Sequence, residues 1–332
     1  MRIGYLGTGS WGFCLASLLS SKGYEVVSWT TKPDLANLLN STHEHPLLPG
    51  LPCSGNIRFT TDMQDVLAGA DLIVESVTSA GLRPVFTQVA KIAIPNCPII
   101  LTSKGIEQNS GLILPDVAVE VFGKNSRHQV GFLSGPGYAQ EVIKGLPTSV
   151  VGSAYDAEVM RKVCDLFTTP TFRVYPNSDI RGVAFGGALK NIIAIACGVS
   201  DGLQLGSSSK AALMTRGLHE MRKLAVAEEC KADTLNGLSG MGDLCVTCSS
   251  TMSRNYRFGA MMAEGLSPEE ARTKIGMVVE GAYTCLSALQ LAKQKGISMP
   301  ISEVIFKIIE EGMNPREAVK LLMQRSIKEE HL

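Results

Sequence analysis

The run Arg2-Ile3-Gly4-Tyr5-Leu6, followed by Gly7-Thr8-Gly9-Ser10-Trp11-Gly12 and then "FCLASLLSSKG", constrains this chain more than any other stretch. A short apolar run enters a glycine-rich turn and leaves it with the spacing of an amphipathic helix. In the G-x-G-x-x-G pattern, Gly7 permits a tight turn, Gly9 lets backbone approach a pyrophosphate, and Gly12 lets helix and strand pack closely. Phosphates would then meet the unpaired N–H groups and the positive dipole end of the helix. The plain alternative is a glycine-rich turn with no ligand. The strand before the loop and the helix after it favour a dinucleotide.

A chain of 332 residues is long for one core and suggests two domains. Hydrophobic residues at 45 % against 19 % charged residues can bury a sizeable interior, which excludes large-scale disorder. Lys plus Arg and Asp plus Glu balance at 31 each, so no basic surplus drives general nucleic-acid binding. Nine scattered cysteines read as reduced thiols, and the N-terminus enters a strand with no signal-peptide pattern. The most apolar long stretch, "GVAFGGALKNIIAIACGVS", is interrupted by Lys190 and Asn191 and makes a poor membrane span. A cytoplasmic protein with no membrane span and no nucleic-acid partner is expected.

Up to about residue 180, β-rich runs (25–30, 71–77, 98–103, 129–134, 148–152) alternate with helical patterns (80–93, 112–122, 156–167). That alternation implies a mostly parallel sheet covered on both faces. From 181 the texture becomes helical: 181–199, 209–230, 252–264, 268–275, 282–295, 300–311 and 315–324. The expected organisation is therefore 1–180, a dinucleotide-binding α/β domain, and 181–332, an all-helical substrate domain, ending in a frayed "KEEHL" tail.

The glycine fingerprint calls for an acidic residue about 20 positions on, to bind the ribose of NAD. Here the second strand ends in Trp29-Thr30-Thr31-Lys32-Pro33, and no carboxylate arrives until Asp34. Thr31 and Lys32 can receive a 2′-phosphate, so the reading leans to NADP, with NAD tolerated; the plain alternative is that these residues are only an exposed turn.

Two lysines stand in unusual places. Lys104 ends an apolar strand at the sheet edge where ligands bind in open α/β folds, although a strand-ending lysine is ordinarily a solvated cap. Lys190 lies in the apolar helix "AFGGALKNIIAIA", with Gly186 and Gly187 leaving space on its face. Burial disfavours an ammonium and moves it towards proton exchange; the bland alternative is a snorkelling side chain. "GLSGMGDLCVTC" offers Asp243 as a carboxylate to orient a lysine. In "TMSRNYRFG", Ser253 is a candidate N-cap that puts Arg254 in the first helical turn, a place that suits it only when an anion binds there. Cys245 and Cys248 form a lone C-x-x-C, and His43 and His45 sit in a loop, so no metal site is expected.

Together, "GTGSWG", "TSKGIE", "SGPGYAQEVIKGLPT", "FRVYPNSDIRGVAFGGALKNIIAIACGVSDG", "GLSGMGDLCVTC", "SRNYRFG" and "VVEG" closely resemble the bacterial NAD(P)-dependent glycerol-3-phosphate dehydrogenases over nearly the whole chain. The resemblance implies a Rossmann domain followed by an all-α domain, a homodimer in many members, and an active site in the cleft between domains. It implies cofactor contacts from Ser10, Trp11, Thr31, Lys104, Ala139, Arg254, Val278 and Glu280. It implies substrate contacts from Lys104, Gly135, Gly137, Lys190, Asp243, Ser253, Arg254 and Asn255, with Lys190 as general acid/base. In the reaction so implied, Lys104 stabilises charge and Asp243 with Thr247 holds Lys190, as dihydroxyacetone phosphate is reduced to sn-glycerol 3-phosphate for phospholipid synthesis. Departures from the family pattern are Val77-Thr78-Ser79 for the usual Val-Pro-Ser, Gly137 where members carry a hydroxyl, and Gln140 where they carry a lysine. A cofactor-binding redox sensor without turnover is the rival reading, and a dehydrogenase of another hydroxyacid or sugar phosphate is a third.

Overall fold

The computed structural model describes residues 1–327, 329 and 330, so the tail expected at Lys328, His331 and Leu332 lies outside the described residues. Two compact units form. One comprises Met1–Lys104 and Leu114–Val183, the other Gly105–Ile113 and Ala184–Leu332.

The first unit carries eight strands among the described residues: β1 (Arg2–Leu6), β2 (Glu25–Trp29), β3 (Ile57–Thr60), β4 (Leu72–Glu75), β5 (Ile99–Leu101), β6 (Val130–Ser134), β7 (Thr148–Ala154) and β8 (Phe172–Asn177). They lie in the order β3-β2-β1-β4-β5-β6-β7-β8. The strands from β1 to β6 are mutually parallel, β7 runs antiparallel to β6, and β8 is parallel to β7. Leu6, at the end of β1, pairs with Trp29 on one side and Glu75 on the other. Strand order reverses at β1, so the crevice beyond the ends of β1 and β4 is the switch point where open α/β sheets bind ligands.

Seven helices accompany the sheet: α1 (Ser10–Ser21), α2 (Pro33–Thr42), α3 (Met63–Leu67), α4 (Ser79–Ile92), α5 (Leu114–Phe122), α6 (Ala139–Ile143) and α7 (Ala157–Phe167). The α7 start has a clear local cause, since Asp156 accepts hydrogen bonds from the Glu158 and Val159 amides. Strands buried on both faces require apolar runs, and β1, β4 and β6 have them apart from Arg2, Glu75 and Ser134 at their ends. Phe13 of α1 stacks on Phe59 of β3 at 6.0 Å in this core.

The second unit is helical: α8 (Ile180–Gly202, from Ala184 onwards), α9 (Ser207–Ala227), α10 (Ala232–Asn236), α11 (Asp243–Cys248), α12 (Arg254–Ala263), α13 (Pro268–Ile275), α14 (Glu280–Gln294), α15 (Pro300–Glu310) and α16 (Pro315–Met323). The segment 105–113 belongs here as a small loop, closed by an Ile106–Ile113 bridge and a Glu107 N–H donated to Leu112 O at 2.8 Å. Helix α8 has the length and mean hydropathy (1.6) of a membrane span, yet its apolar window is wholly buried within the protein. It meets α12 backbone to backbone. A Cβ on Gly198 would lie 1.9 Å from Tyr256 O, and one on Gly259 would lie 2.0 Å from Ile195 O. Small residues thus let the helix bearing Lys190 touch the helix bearing Arg254.

Glu220 of α9 anchors the far side of this unit. Its carboxyl accepts from Ile301 N at 2.6 Å, Ser302 N at 3.2 Å and Ser302 Oγ at 3.0 Å, capping α15 from another helix. Burial outweighs these bonds and pushes its pKa up from 4.5 to about 7. A raised carboxyl binds its proton more tightly folded than unfolded. Its contribution to stability is therefore full below 4.5 and is lost as pH rises through about 7. The expected result is a melting temperature that falls from pH 5 to 8, with Glu220→Gln flattening part of that slope; at most about 3 kcal/mol is involved. Parallel slopes in wild type and variant would refute it.

Candidate active site

The glycine loop closes the edge of the sheet at the switch point. Gly7 adopts φ +104° and donates its N–H to Trp29 O at 3.1 Å. A Cβ there would meet Ser76 O at 2.7 Å, and one on Gly12 would meet Gly7 O at 2.2 Å. Both positions are therefore closed by the protein itself. Gly9 differs: no atom lies within 4 Å of where its Cβ would stand. It is also the N-cap of α1, which has no side-chain cap and no acidic residue in its first turn. Open space over Gly9 and uncapped N–H groups below it fit a pyrophosphate.

The contrast yields a test. Gly9→Val should leave the melting temperature of the free protein within about 1–2 °C and abolish measurable NADH binding. Gly12→Ala should itself destabilise the fold by about 1–3 kcal/mol. NADH titration of a normally stable Gly9→Val protein at wild-type affinity would exclude this loop as the pyrophosphate cradle.

Two supports of the loop are not evident from sequence spacing. Thr8 Oγ1 donates to Trp29 O at 2.9 Å. His45 is buried beneath the loop: its Nδ1 accepts from Leu47 N at 3.1 Å, which leaves Nε2 to donate to Thr8 O at 3.2 Å. Burial lowers its pKa, so it stays neutral at physiological pH.

The other sequence candidates of this unit fall as follows. Ser10 and Trp11 open α1 and are partly exposed. Thr31 and Lys32 are exposed beyond the end of β2, next to the Thr30 hydroxyl, which accepts from Lys32 N at 3.3 Å. Lys104, beyond β5, donates from Nζ to Gly135 O at 3.0 Å, which joins two of the expected substrate residues. Gly135 has φ +139° and packs against Val150. A Cβ on Gly137 would lie 3.4 Å from Thr148 Cγ2 and 3.5 Å from the Trp11 ring, so space does not forbid the hydroxyl that relatives carry there. Ala139 begins α6, and Gln140 beside it is exposed.

In the helical unit, Lys190 is 6 % exposed and Asp243 1 %. The Lys190 ammonium donates to Asp243 Oδ1 and, at 2.8 Å, to Thr247 Oγ1. Thr247 in turn donates to the Asp243 carbonyl at 2.6 Å. Asp243 and Thr247 share one face of α11 at i and i+4, which a π-helical turn at Leu238–Gly242 delivers to Lys190. A buried ammonium so bracketed has its direction fixed.

Ser253 caps α12 by accepting from Tyr256 N at 3.2 Å. Arg254 follows in the first turn; burial lowers its pKa and the Glu280 carboxylate opposes that shift, which brings together two of the expected cofactor residues. Val278 lies two residues before Glu280, which opens α14. Asn255 also has a structural role within the helical unit. Its Oδ1 accepts from Gly281 N at 2.9 Å and its Nδ2 donates to Asn191 Oδ1 at 2.9 Å, tying α8, α12 and α14 together. Asn191, next to Lys190, was not singled out in the sequence. The neighbouring Cys197 and burial raise the pKa of Cys248 of the C-x-x-C pair, with Lys190 opposing.

Residues 2–160 match the model of the NAD-dependent glycerol-3-phosphate dehydrogenase N-terminus, and 179–320 match the C-terminus of the same family. A glycerol-3-phosphate dehydrogenase (NAD(P)+) of Protochlamydia amoebophila is 67 % identical over 331 residues, covering 100 % of this chain and 99 % of the relative. The Chlamydia pneumoniae protein of that name is 56 % identical over the same coverage. A solved glycerol-3-phosphate dehydrogenase from Coxiella burnetii superposes with a TM-score of 0.92 at 35 % identity, covering 98 % of this chain and 99 % of the other. Two matched family segments on one chain, and full-length likeness well above what fold alone would require, leave one assignment: the chain belongs to the NAD-dependent glycerol-3-phosphate dehydrogenase family.

Proposed function

We propose that this chain reduces dihydroxyacetone phosphate reversibly to sn-glycerol 3-phosphate with NAD(P)H, in the cytoplasm, as a homodimer. The observation that carries the reading is the buried Lys190 ammonium held by Asp243 and Thr247. A nicotinamide dinucleotide, when bound, would supply the hydride for C2 of the substrate. As negative charge grows on the carbonyl oxygen, Lys190 gives it a proton. Asp243 and Thr247 fix the donor's direction before reaction, so no reorganisation is needed during it. Within the helical unit, Arg254 and the α12 N-terminus would hold the phosphate. Gly7, Gly9, Ser10, Trp11 and Gly12 would hold the dinucleotide, and Thr31 and Lys32 would receive its adenosine ribose.

The decisive assay mixes purified protein, dihydroxyacetone phosphate and NADH or NADPH, and follows loss of reduced-cofactor absorbance. Turnover with both cofactors, and a lower KM for NADPH, is expected from the exposed Thr31-Lys32 pair and the lack of a carboxylate there. A strong preference for NADH removes the NADP assignment. No oxidation of either cofactor removes the enzyme reading and leaves the redox sensor.

A further inference from the structure

Glu75 is the last residue of a strand whose three other members are Leu, Ile and Val, and it is fully buried. An ionisable group in the interior of a parallel sheet is costly and needs a use. Its Oε1 lies 2.5 Å from Val77 N and 2.6 Å from Ser103 Oγ, while its buried Oε2 has no hydrogen-bond partner. Ser103 Oγ also lies within bonding reach of Val77 O.

Proton counting decides the state of this cluster. Ser103 has one hydroxyl proton and faces two acceptors, the Glu75 carboxyl and Val77 O. With Glu75 ionised, one contact lacks a donor. With Glu75 protonated, the acid donates to Ser103 Oγ, Ser103 donates to Val77 O, and the Val77 N–H still finds a carboxyl oxygen. All three contacts are satisfied only in the protonated form.

The cluster reaches both halves of the cofactor edge. Ser76 and Val77 form the wall that closes Gly7, with contacts of 2.7 Å and 3.0 Å to a Cβ there, and the Ser76 side chain stands 3.2 Å from a Cβ on Gly12. Ser103 immediately precedes Lys104. We propose that Glu75 is a positioning residue whose carboxylic acid latches the Ser76–Thr78 loop to the Ser103–Lys104 turn and holds the glycine loop in its binding shape, so that dinucleotide binding weakens as the acid loses its proton. This rests on the reading of the glycine loop as the dinucleotide site.

Burial pushes the Glu75 carboxyl up to about 7 against the hydrogen bonds it receives. The neighbouring groups are shifted away from that value. Tyr5 of β1 is pushed above its ordinary value by burial, Cys14 of α1 is pushed up to about 12, and His45 is held below its ordinary value. Lys104 of the facing turn directs its ammonium to Gly135 O.

The test is the Kd of NADH, which has no 2′-phosphate to titrate, measured by nicotinamide fluorescence from about pH 6 to 8.5 on wild type, Glu75→Gln and Ser103→Ala. Wild-type Kd should rise about five-fold across that range, the net worth of one hydrogen bond. Glu75→Gln does not titrate, so its Kd should be the same across the range, and weaker than low-pH wild type because one amide atom cannot both accept from Val77 N–H and donate to Ser103 Oγ. Ser103→Ala, without a latch, should bind weakly at both ends. Should wild type bind NADH with a profile that both variants reproduce, Glu75 has no such role. Failure of wild type to bind NADH at any pH would instead overturn the dinucleotide reading itself, and this inference with it.

Discussion

Lys190→Ala lowers kcat by about 10²–10⁴-fold while NADH still binds, because binding and proton donation are assigned to different units of the chain. In the proposed mechanism the ammonium, buried with a carboxylate on one side and a hydroxyl on the other, is the proton donor, and water in its place has neither the direction nor the acidity. Removing it strands Asp243 as a buried, unpaired charge, which by itself costs about 3–5 kcal/mol of stability. Lost activity alone is therefore ambiguous. A Lys190→Met, Asp243→Asn double variant removes both charges together. It should recover much of the melting temperature and none of the turnover. Near-normal kcat in either variant takes Lys190 out of the chemistry, and recovered activity in the double variant would do so more forcefully.

Arg254→Ala raises the KM for dihydroxyacetone phosphate by about 10²-fold, with a smaller effect on kcat. An arginine in the first turn of a helix opposes the dipole and is favourable only when an anion also sits there. Each charge-assisted bond it makes to phosphate is worth about 1.5–3 kcal/mol, and a guanidinium can make two. Arg254→Lys keeps the charge but loses the fork, so it should fall between wild type and alanine. The check is a full kinetic matrix in both substrates. An unchanged KM for the phosphate substrate would assign Arg254 to the cofactor alone, where its neighbour Glu280 is also expected.

What could be read from the chain beforehand follows the range of the interactions. The glycine loop was legible because its causes are local: a strand, three spaced glycines and a helix within twenty residues. Lys190 was legible because small and apolar neighbours within one turn announce its burial. The strand β3, four residues long and alternately exposed, was too weak a signal, and β8 carries exposed and polar positions that hide it. His45 supports Thr8 from 37 positions away, and Glu220 caps a helix 81 positions away. The hydrogen bonds of Asn255 to Asn191 and Gly281, 64 and 26 positions distant, could not be seen from spacing. Glu75 sat in plain sight in "LIVE", where a hydropathy pattern averages over it.

The segment 105–113 belongs to the helical unit although chain on both sides of it belongs to the sheet unit. A fragment cut after residue 183 would carry this loop without the helices it rests on, and the complementary fragment would lack it. Dissecting the enzyme into two autonomous expression products at that cut should therefore fail. Ribosomal synthesis faces the same ordering: the small loop emerges long before its companions and must wait, unsupported, until most of the remaining polypeptide has been made.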